Sequence, residues 1–131
     1  EANYRVDPAE RALMGHSTGG EFALYTMYNA SDTFTNIIAS SPFNGSLPLS
    51  LNNVHGEGLD ALPVRLYASV GELEKDSLSS FEEYSSALEA SDYGEFAGEL
   101  VVLDGESHGS IWSRAFTTGL KWVFAGWDGD L

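Results

Sequence analysis

Residues able to perform nucleophilic catalysis occur at three separate places in this chain. The pattern Gly15-x-Ser17-x-Gly19 is typical of a serine held at a sharp turn. A serine hydroxyl is a weak nucleophile until a base takes its proton, and a histidine, which titrates near neutrality, suits that role. His108 follows late in the chain, and an acidic loop at residues 71–76 lies between the two. A carboxylate there would fix the tautomer of the histidine and stabilise its charged form.

The residues on either side of this serine predict a strand, a tight turn and a helix, the setting that exposes a nucleophile. The apolar residues 12–14 indicate the end of a buried strand, and residues 20–29 indicate a helix. We expect glycine at 15 and 19 because a Cβ there would strike the strand or the helix. The N–H of Thr18, at the helix start, would face a developing oxyanion. The simpler interpretation is a glycine-rich turn with a helix-capping serine.

The identity of the acid stays open among three carboxylates of the acidic loop. Glu74 is preferred because it lies three residues beyond the glycine that ends the preceding strand, and Glu72 and Asp76 are alternatives. His16 should point away from the serine and pack or hydrogen-bond within the turn. His55 is interpreted as an exposed loop histidine rather than a catalytic one.

The elements around these residues alternate between short apolar runs and amphipathic stretches, which predicts a parallel sheet covered by helices on both faces. Strands are predicted at residues 12–14, 36–40, 64–70 and 99–103, and helices at residues 20–29, 77–90 and 110–125. Residues 43–61 predict a long loop or a small lid. In such sheets the site lies at the carboxyl ends of the strands. Three of these ends carry the serine, the acidic loop and the histidine, in the chain order of α/β-hydrolases.

Length and composition limit the number of domains and the classes of partner and chemistry. At 131 residues the chain, residues 1–131, is predicted to be a single domain. Its 20 acidic residues against 6 basic ones give a formal charge of −14, which argues against binding to nucleic acid or to anionic membranes. It has no cysteine, so no thiolate chemistry is available, and no apolar run has the length of a membrane span. The start, Glu1 to Arg5, is neither a signal peptide nor a start methionine, so we expect either a removed leader or a longer parent chain.

Four motifs follow one another along the chain: Gly15-His16-Ser17-Thr18-Gly19-Gly20, Ile38-Ala39-Ser40-Ser41-Pro42, Gly71-Glu72-Leu73-Glu74 and Ser107-His108-Gly109-Ser110. In this order they resemble the putative-esterase family of α/β-hydrolases, particularly its enterochelin- and siderophore-esterase-like branch. The resemblance implies a three-layer α/β-hydrolase-like fold, with a mostly parallel sheet flanked by helices. It implies Ser17 as nucleophile, His108 as base and a carboxylate of the 72–76 loop as acid, with Glu74 the preferred one. It implies a small-molecule ester substrate and no metal or organic cofactor.

This chain matches only the C-terminal half of that family. We therefore expect a single, partial domain that lacks the N-terminal strands and the second oxyanion N–H. A preceding segment, another chain or a second copy in a homo-oligomer would complete the sheet. The predicted function is a serine esterase working through an acyl-enzyme. The alternatives are a non-catalytic binding or structural module, and an acyltransferase or peptidase on the same fold. Relatives occur in the bacterial cytoplasm or periplasm, and the sequence does not separate these compartments.

Overall fold

The protein, in a computed structural model that describes residues 3–126, alternates strands and helices along its length. A short 3-10 turn at Pro8–Glu10 precedes the first strand. The elements that follow are β1 (Ala12–His16), α1 (Thr18–Asn29), β2 (Asn36–Ser40), α2 (Leu47–His55), β3 (Arg65–Gly71), α3 (Leu78–Ser91), β4 (Ala97–Leu103) and α4 (Ile111–Val123). The single-domain prediction for residues 1–131 includes residues 1–2 and 127–131, which lie outside the described residues.

The four strands of the described chain form one sheet in the order β1-β2-β3-β4, and every neighbouring pair is parallel. Parallel neighbours need a crossover on one face of the sheet, and α1, α2 and α3 provide these crossovers. In the register, Gly15 pairs with Ala39, and Ala39 pairs with Ala68. All four carboxyl ends therefore meet at one edge of the sheet, which is where the sequence placed the site.

The core has two sides because successive side chains of a strand point to opposite faces. Ile37 of β2 packs in the larger cluster with residues of α1, α2 and α3. Ile38, the next residue, packs instead with Tyr67 and Val123 on the side covered by α4. The α/β class, with helices on both faces of a parallel sheet, is thereby confirmed.

Two local predictions were wrong. The strand before Ser17 is not buried along its length, because β1 lies at the edge of the described sheet and Met14 is 42% exposed. Residues 43–61, expected to be a long loop or a small lid, are not a plain loop, because they contain α2, and the lid stays a prediction. Its sequence, Leu-Pro-Leu-Ser-Leu-Asn-Asn-Val-His, has little periodicity, so tertiary contacts hold it.

These tertiary contacts form a buried network of polar side chains. Asn52 of α2 accepts hydrogen bonds at its Oδ1 from the hydroxyls of Tyr28 (2.9 Å) and Tyr93 (2.8 Å). The Tyr28 hydroxyl also lies 3.1 Å from that of Tyr84, and burial raises the pKa of both groups above its ordinary range. The network ties α2 to the helices on either side of it. Among the described residues, no helix has the length and apolar character needed to span a membrane.

Candidate active site

Ser17 occupies a strained turn between β1 and α1. Its φ of 57° and ψ of −122° lie outside the regions that residues with a side chain favour. Its backbone N–H donates to the Ser40 carbonyl at 2.8 Å, which fixes the turn to the end of β2. Strain at a single residue that the surroundings hold in place is typical of functional positions.

The glycines around this turn do not all serve the predicted purpose. A Cβ at Gly15 would lie 1.9 Å from the Gly19 carbonyl oxygen, so no side chain fits there. A Cβ at Gly19 would meet nothing within 4 Å, so the expectation for that position was wrong. Of the two glycines after the serine, Gly20 is the more crowded, because its Cβ would lie 3.1 Å from the Ser40 carbonyl oxygen. The close approach therefore falls one position later than expected, where α1 passes the end of β2.

The three residues preferred from the sequence lie in a row. His108 Nε2 is 3.0 Å from Ser17 Oγ, and His108 Nδ1 is 2.7 Å from Glu74 Oε1. The Glu74 side chain is only 5% exposed, whereas that of His108 is 40% exposed. The buried carboxylate thus occupies Nδ1 of the partly exposed imidazole, and Nε2 faces the serine.

Both oxygens of Glu74 are engaged. Oε2 accepts hydrogen bonds from the backbone N–H of Gly71 and from the hydroxyl of Ser41, each at 2.6 Å. Of the two alternative acids, Glu72 turns the other way and accepts from Gly105 N–H at 2.8 Å. Asp76 is exposed. Neither alternative contacts the histidine in the described structure, so only the Glu74 carboxylate faces it.

The loop that bears the acid and the loop that bears the base are hydrogen-bonded to each other. The Glu72 N–H donates to the Leu103 carbonyl at 3.0 Å, and the Leu73 N–H donates to the Glu106 carbonyl at 3.0 Å. Gly71 makes this approach possible, because a Cβ there would lie 2.3 Å from the Glu106 carbonyl oxygen. The two loops consequently form one unit at the ends of β3 and β4.

His16 makes one contact that was expected and one that was not. As expected, it packs within the turn, with Nδ1 3.0 Å from Ser40 Oγ. Its ring also lies against that of His108, with centroids 4.8 Å apart and planes inclined at 43°. Burial, followed by the neighbouring His108, lowers the pKa of His16, although Glu74 acts in the opposite direction. His16 therefore tends to stay neutral beside the histidine that faces the serine.

A cleft of about 310 Å³ opens beside the row, on the side of His108. Its other lining residues are Asn44, Leu73, Glu74, Lys75, Asp76 and Ser77. Asn44 is exposed, and its Nδ2 lies 3.4 Å from Ser17 Oγ. Asn44 was not singled out from the sequence, because the residues after Pro42 have little periodicity.

Thr18 and His55, two further residues named from the sequence, each lie at the end of a helix. Thr18 is the first residue of α1, where a backbone N–H has no acceptor within its own helix. His55 is the last residue of α2 rather than a loop residue, and its ring packs edge-on against Tyr25 at 5.6 Å. It lies outside the row. Within residues 3–126, no group of three or more His, Asp or Glu side chains is arranged to hold a metal ion.

Both the matching family model and the matching curated protein are esterases by name. The model of the family described as "Putative esterase" matches residues 1–123. Among curated proteins, the chain is 28% identical over 121 residues to ferri-bacillibactin esterase BesA of Bacillus subtilis. That match covers 85% of this chain and 42% of the relative, so the chain spans less than half of the relative's length.

Solved structures likewise match most of this chain but less than half of their own length. The BES protein from Bacillus cereus superposes with a TM-score of 0.80 at 25% identity, covering 93% of this chain and 49% of that one. The siderophore hydrolase EstA from Aspergillus nidulans gives a TM-score of 0.70 at 24% identity, covering 86% and 46%. The second of these likenesses concerns the fold alone. In both cases the common part is less than half of the solved chain.

Proposed function

The chain belongs to the Putative esterase family, and we propose that it hydrolyses carboxylic esters through an acyl-enzyme formed on Ser17. The observation that carries this proposal is the row in which His108 lies 3.0 Å from Ser17 Oγ and 2.7 Å from Glu74 Oε1. These are hydrogen-bond distances suited to proton transfer from the nucleophile to a base that a third group orients.

The reaction begins when Ser17 Oγ attacks the carbonyl carbon of the ester while His108 Nε2 takes the hydroxyl proton. The new C–O bond converts the carbonyl to a tetrahedral oxyanion, which the Thr18 N–H at the start of α1 would stabilise. The C–O bond to the alcohol then breaks, and His108 gives its proton to the leaving oxygen. A water molecule, deprotonated by His108, attacks the acyl-enzyme, releases the acid and restores Ser17.

Glu74 has a supporting part in this mechanism. By accepting a hydrogen bond from the Nδ1–H of His108, its carboxylate holds the tautomer in which Nε2 is free to accept from Ser17. When His108 becomes charged, the carboxylate stabilises the imidazolium. Its own burial and its two hydrogen bonds at Oε2 keep it in place during both steps.

The cleft beside His108 suggests where the alcohol portion lies. The leaving oxygen must lie within reach of His108 to receive its proton, so the leaving group extends into the space lined by Leu73, Lys75 and Asn44. A volume of about 310 Å³ suits a small-molecule ester. Because one relative bears the name ferri-bacillibactin esterase and another the name siderophore hydrolase, siderophore esters are the first natural substrates to test.

Reaction with a fluorophosphonate probe, followed by mass spectrometry of the intact chain, tests the proposal. We expect one adduct, located on Ser17, and none in Ser17→Ala. Ser113→Ala, which changes an exposed serine of α4, is the matched control and should label like the wild type. A wild-type chain that remains unlabelled would contradict the proposal and favour a non-catalytic module.

A panel of substrates then separates the enzymes that share this chemistry. An esterase should release acid from simple esters faster than it cleaves a peptide bond, and added alcohols should not become the main acyl acceptors. Faster turnover of thioesters or peptides, or transfer of the acyl group to an added alcohol, would indicate a peptidase or an acyltransferase instead.

A further inference from the structure

Ser40 is the last residue of β2 and Ser41 follows it directly, and each bonds a different neighbour of His108. Ser40 Oγ lies 3.0 Å from Nδ1 of His16, and the hydroxyl of Ser41 donates to Glu74 at 2.6 Å. Ser40 is fully buried and Ser41 is 1% exposed. A buried hydroxyl normally needs a partner, and both of these find one within the site rather than in the core.

The Ser41 bond bears on the orientation of the carboxylate. Oε2 of Glu74 takes hydrogen bonds from Ser41 Oγ and from the Gly71 N–H, which lie on two different elements. Two donors on one oxygen restrict rotation of the carboxylate, and the other oxygen then points to His108 Nδ1. Hydrogen bonds to a charged acceptor are the stronger kind, so this restraint is a substantial one.

The backbone of Ser41 supports the same interpretation. Its φ is 48°, a left-handed conformation that costs a residue with a side chain more than it costs glycine. A serine at such a position contributes only its hydroxyl beyond what glycine would offer. That hydroxyl is the one bonded to Glu74.

The Ser40 bond bears on the other side of the imidazole. The ring of His16 lies against that of His108 at 4.8 Å, and its Nδ1 is held by Ser40. Nδ1 of His16 and the Ser40 hydroxyl are within hydrogen-bond distance, whichever of the two donates. A ring fixed in this way limits the tilt of His108 away from the serine.

We propose that Ser40 and Ser41 are positioning residues, which together restrain the His108 imidazole through His16 on one side and through Glu74 on the other. This inference rests on the proposed function, in which His108 is the base. A proton transfer over 3.0 Å depends steeply on alignment, so looser placement of the ring should slow the attack by Ser17 without changing which residues react.

The first experiment measures the rate constant of fluorophosphonate labelling for the full chain and its variants. Ser41→Ala should label on the order of 10²-fold more slowly, and Ser40→Ala several-fold more slowly, about 5-fold. Ser69→Ala is the matched control. Ser69 is a fully buried serine that pairs with Ser40 in the sheet, and its hydroxyl has no partner among the described residues. It should label like the wild type, and equal slowing in Ser69→Ala would overturn the proposal.

Double variants test which neighbour each serine acts through. Ser41→Ala should have little further effect once Glu74→Gln has removed the charged acceptor. Ser40→Ala should have little further effect in His16→Phe, which keeps a ring but not its nitrogen. Effects that simply multiply in both backgrounds would show that the serines do not act through these partners, and would overturn the proposal.

Ser41→Gly separates positioning from folding. Both variants lose the hydroxyl, but glycine also relieves the left-handed backbone, so Ser41→Gly should be at least as thermally stable as Ser41→Ala while its labelling slows to the same extent. A Ser41→Gly chain that labels at the wild-type rate would show that the hydroxyl positions nothing.

Proton NMR of the free chain makes the test independent of activity. The His108 Nδ1 proton bonded to Glu74 should give a resonance far downfield, which His108→Gln abolishes. Ser41→Ala should shift or broaden it, whereas Ser69→Ala should not. Absence of this resonance in the wild type, or its indifference to Ser41→Ala, overturns the proposal even if the chain labels. A wild-type chain that gives the resonance but does not label contradicts the proposed function alone.

Discussion

Buried polar groups at the carboxyl ends of β2 and β3 are hydrogen-bonded differently from those at the amino ends. At the carboxyl ends, Ser40 and Ser41 bond groups that contact His108, and the Glu74 carboxylate is bonded at both oxygens. At the amino ends, Asn36 Oδ1 and Arg65 Nε are buried without a hydrogen-bond partner among residues 3–126. The Ser69 hydroxyl, near the carboxyl end of β3, is also without a partner among those residues. The groups around His108 are nevertheless connected to one another, whereas those at the amino ends are not.

The contacts at the amino end belong to packing. Arg65 donates to the Trp122 carbonyl at 2.9 Å, and its guanidinium lies 4.8 Å from the centroid of the Trp122 ring. Asn36 donates to Glu10 at 3.3 Å and to Thr35 at 3.2 Å, both long bonds. These bonds attach α4 and the first turn to the sheet. They do not converge on any one group.

The difference separates two uses of buried polarity. A network that converges on one imidazole restrains a reacting group, so its loss should appear in rate. A set of separate contacts attaches elements to one another, so its loss should appear in stability. Substitutions at the two ends can therefore test whether this division holds.

The largest effect is expected at the acid. Glu74→Gln keeps the shape of the side chain but removes the charge, so the favoured His108 tautomer and the stabilised imidazolium are lost. Labelling and ester hydrolysis should fall by about 10³-fold. Glu83→Gln is the control, because it makes the same chemical change on an exposed side chain of α3 outside the cleft and should alter the rate by no more than about 3-fold. Equal losses in both variants would show that general electrostatics, not the contact with His108, matters.

A smaller effect is expected from Gly71→Ala at the same end. The added Cβ would lie 2.3 Å from the Glu106 carbonyl oxygen and 3.0 Å from Glu74 Oε2, so the acid and base loops must separate. Labelling should slow by about 10²-fold, because a small displacement of the base weakens proton transfer. Gly45→Ala, where a Cβ meets nothing within 4 Å, is the control. A wild-type labelling rate in Gly71→Ala would mean that the geometry at this end is not critical.

The amino end should respond in the opposite manner. Arg65→Met removes the bond to Trp122 and the cation–π contact, so the free energy of unfolding should fall by about 1–2 kcal/mol. The labelling rate should stay within about 2-fold of the wild type, since the contacts of Arg65 with Trp122 lie away from the site. Urea unfolding and labelling on the same preparation check both parts. A large fall in rate with unchanged stability would abolish the distinction between the two ends.

The smallest effect concerns pH and His16. Its pKa is lowered in the folded chain, chiefly by burial and next by His108, so the unfolded chain binds a proton more readily as the pH falls. This residue therefore contributes a loss of stability as the pH is lowered through its ordinary pKa of about 6.5. Urea unfolding at about pH 8 and about pH 5 should show a smaller decrease in His16→Gln than in the wild type. An equal decrease in both chains would mean that His16 is not held neutral.

Much of the fold could be predicted because its signals are local. Residues 36–40 contain the apolar run Ile37-Ile38-Ala39 without polar alternation, and the predicted bounds match those of β2. The helix predicted at 77–90 differs from α3 by one residue at each end, because its apolar positions recur at helical spacing. The helix α2 was not predicted because its packing depends on Asn52, whose partners Tyr28 and Tyr93 lie far from it in the sequence.

The exposure of β1 could not be predicted for a similar reason. Its residues are apolar in the manner of a buried strand, but burial depends on the position of the strand in the sheet. That position is a property of the assembled sheet. The contact of His16 with His108 was missed likewise, because no spacing along the chain indicates it.

By itself, the sequence determined the residue types, their order and the strand ends that bear them: Ser17, then an acidic loop, then His108. It left three carboxylates open and gave no role to Ser40 or Ser41. Only the tertiary structure decided which carboxylate faces the histidine and what holds it there. The physical reason is distance along the chain: the serine and the histidine are 91 residues apart, and Ser41 and Glu74 are 33 apart. Hydrogen bonds of about 3 Å between such residues depend on the register and loop packing of the whole sheet, which no local pattern encodes.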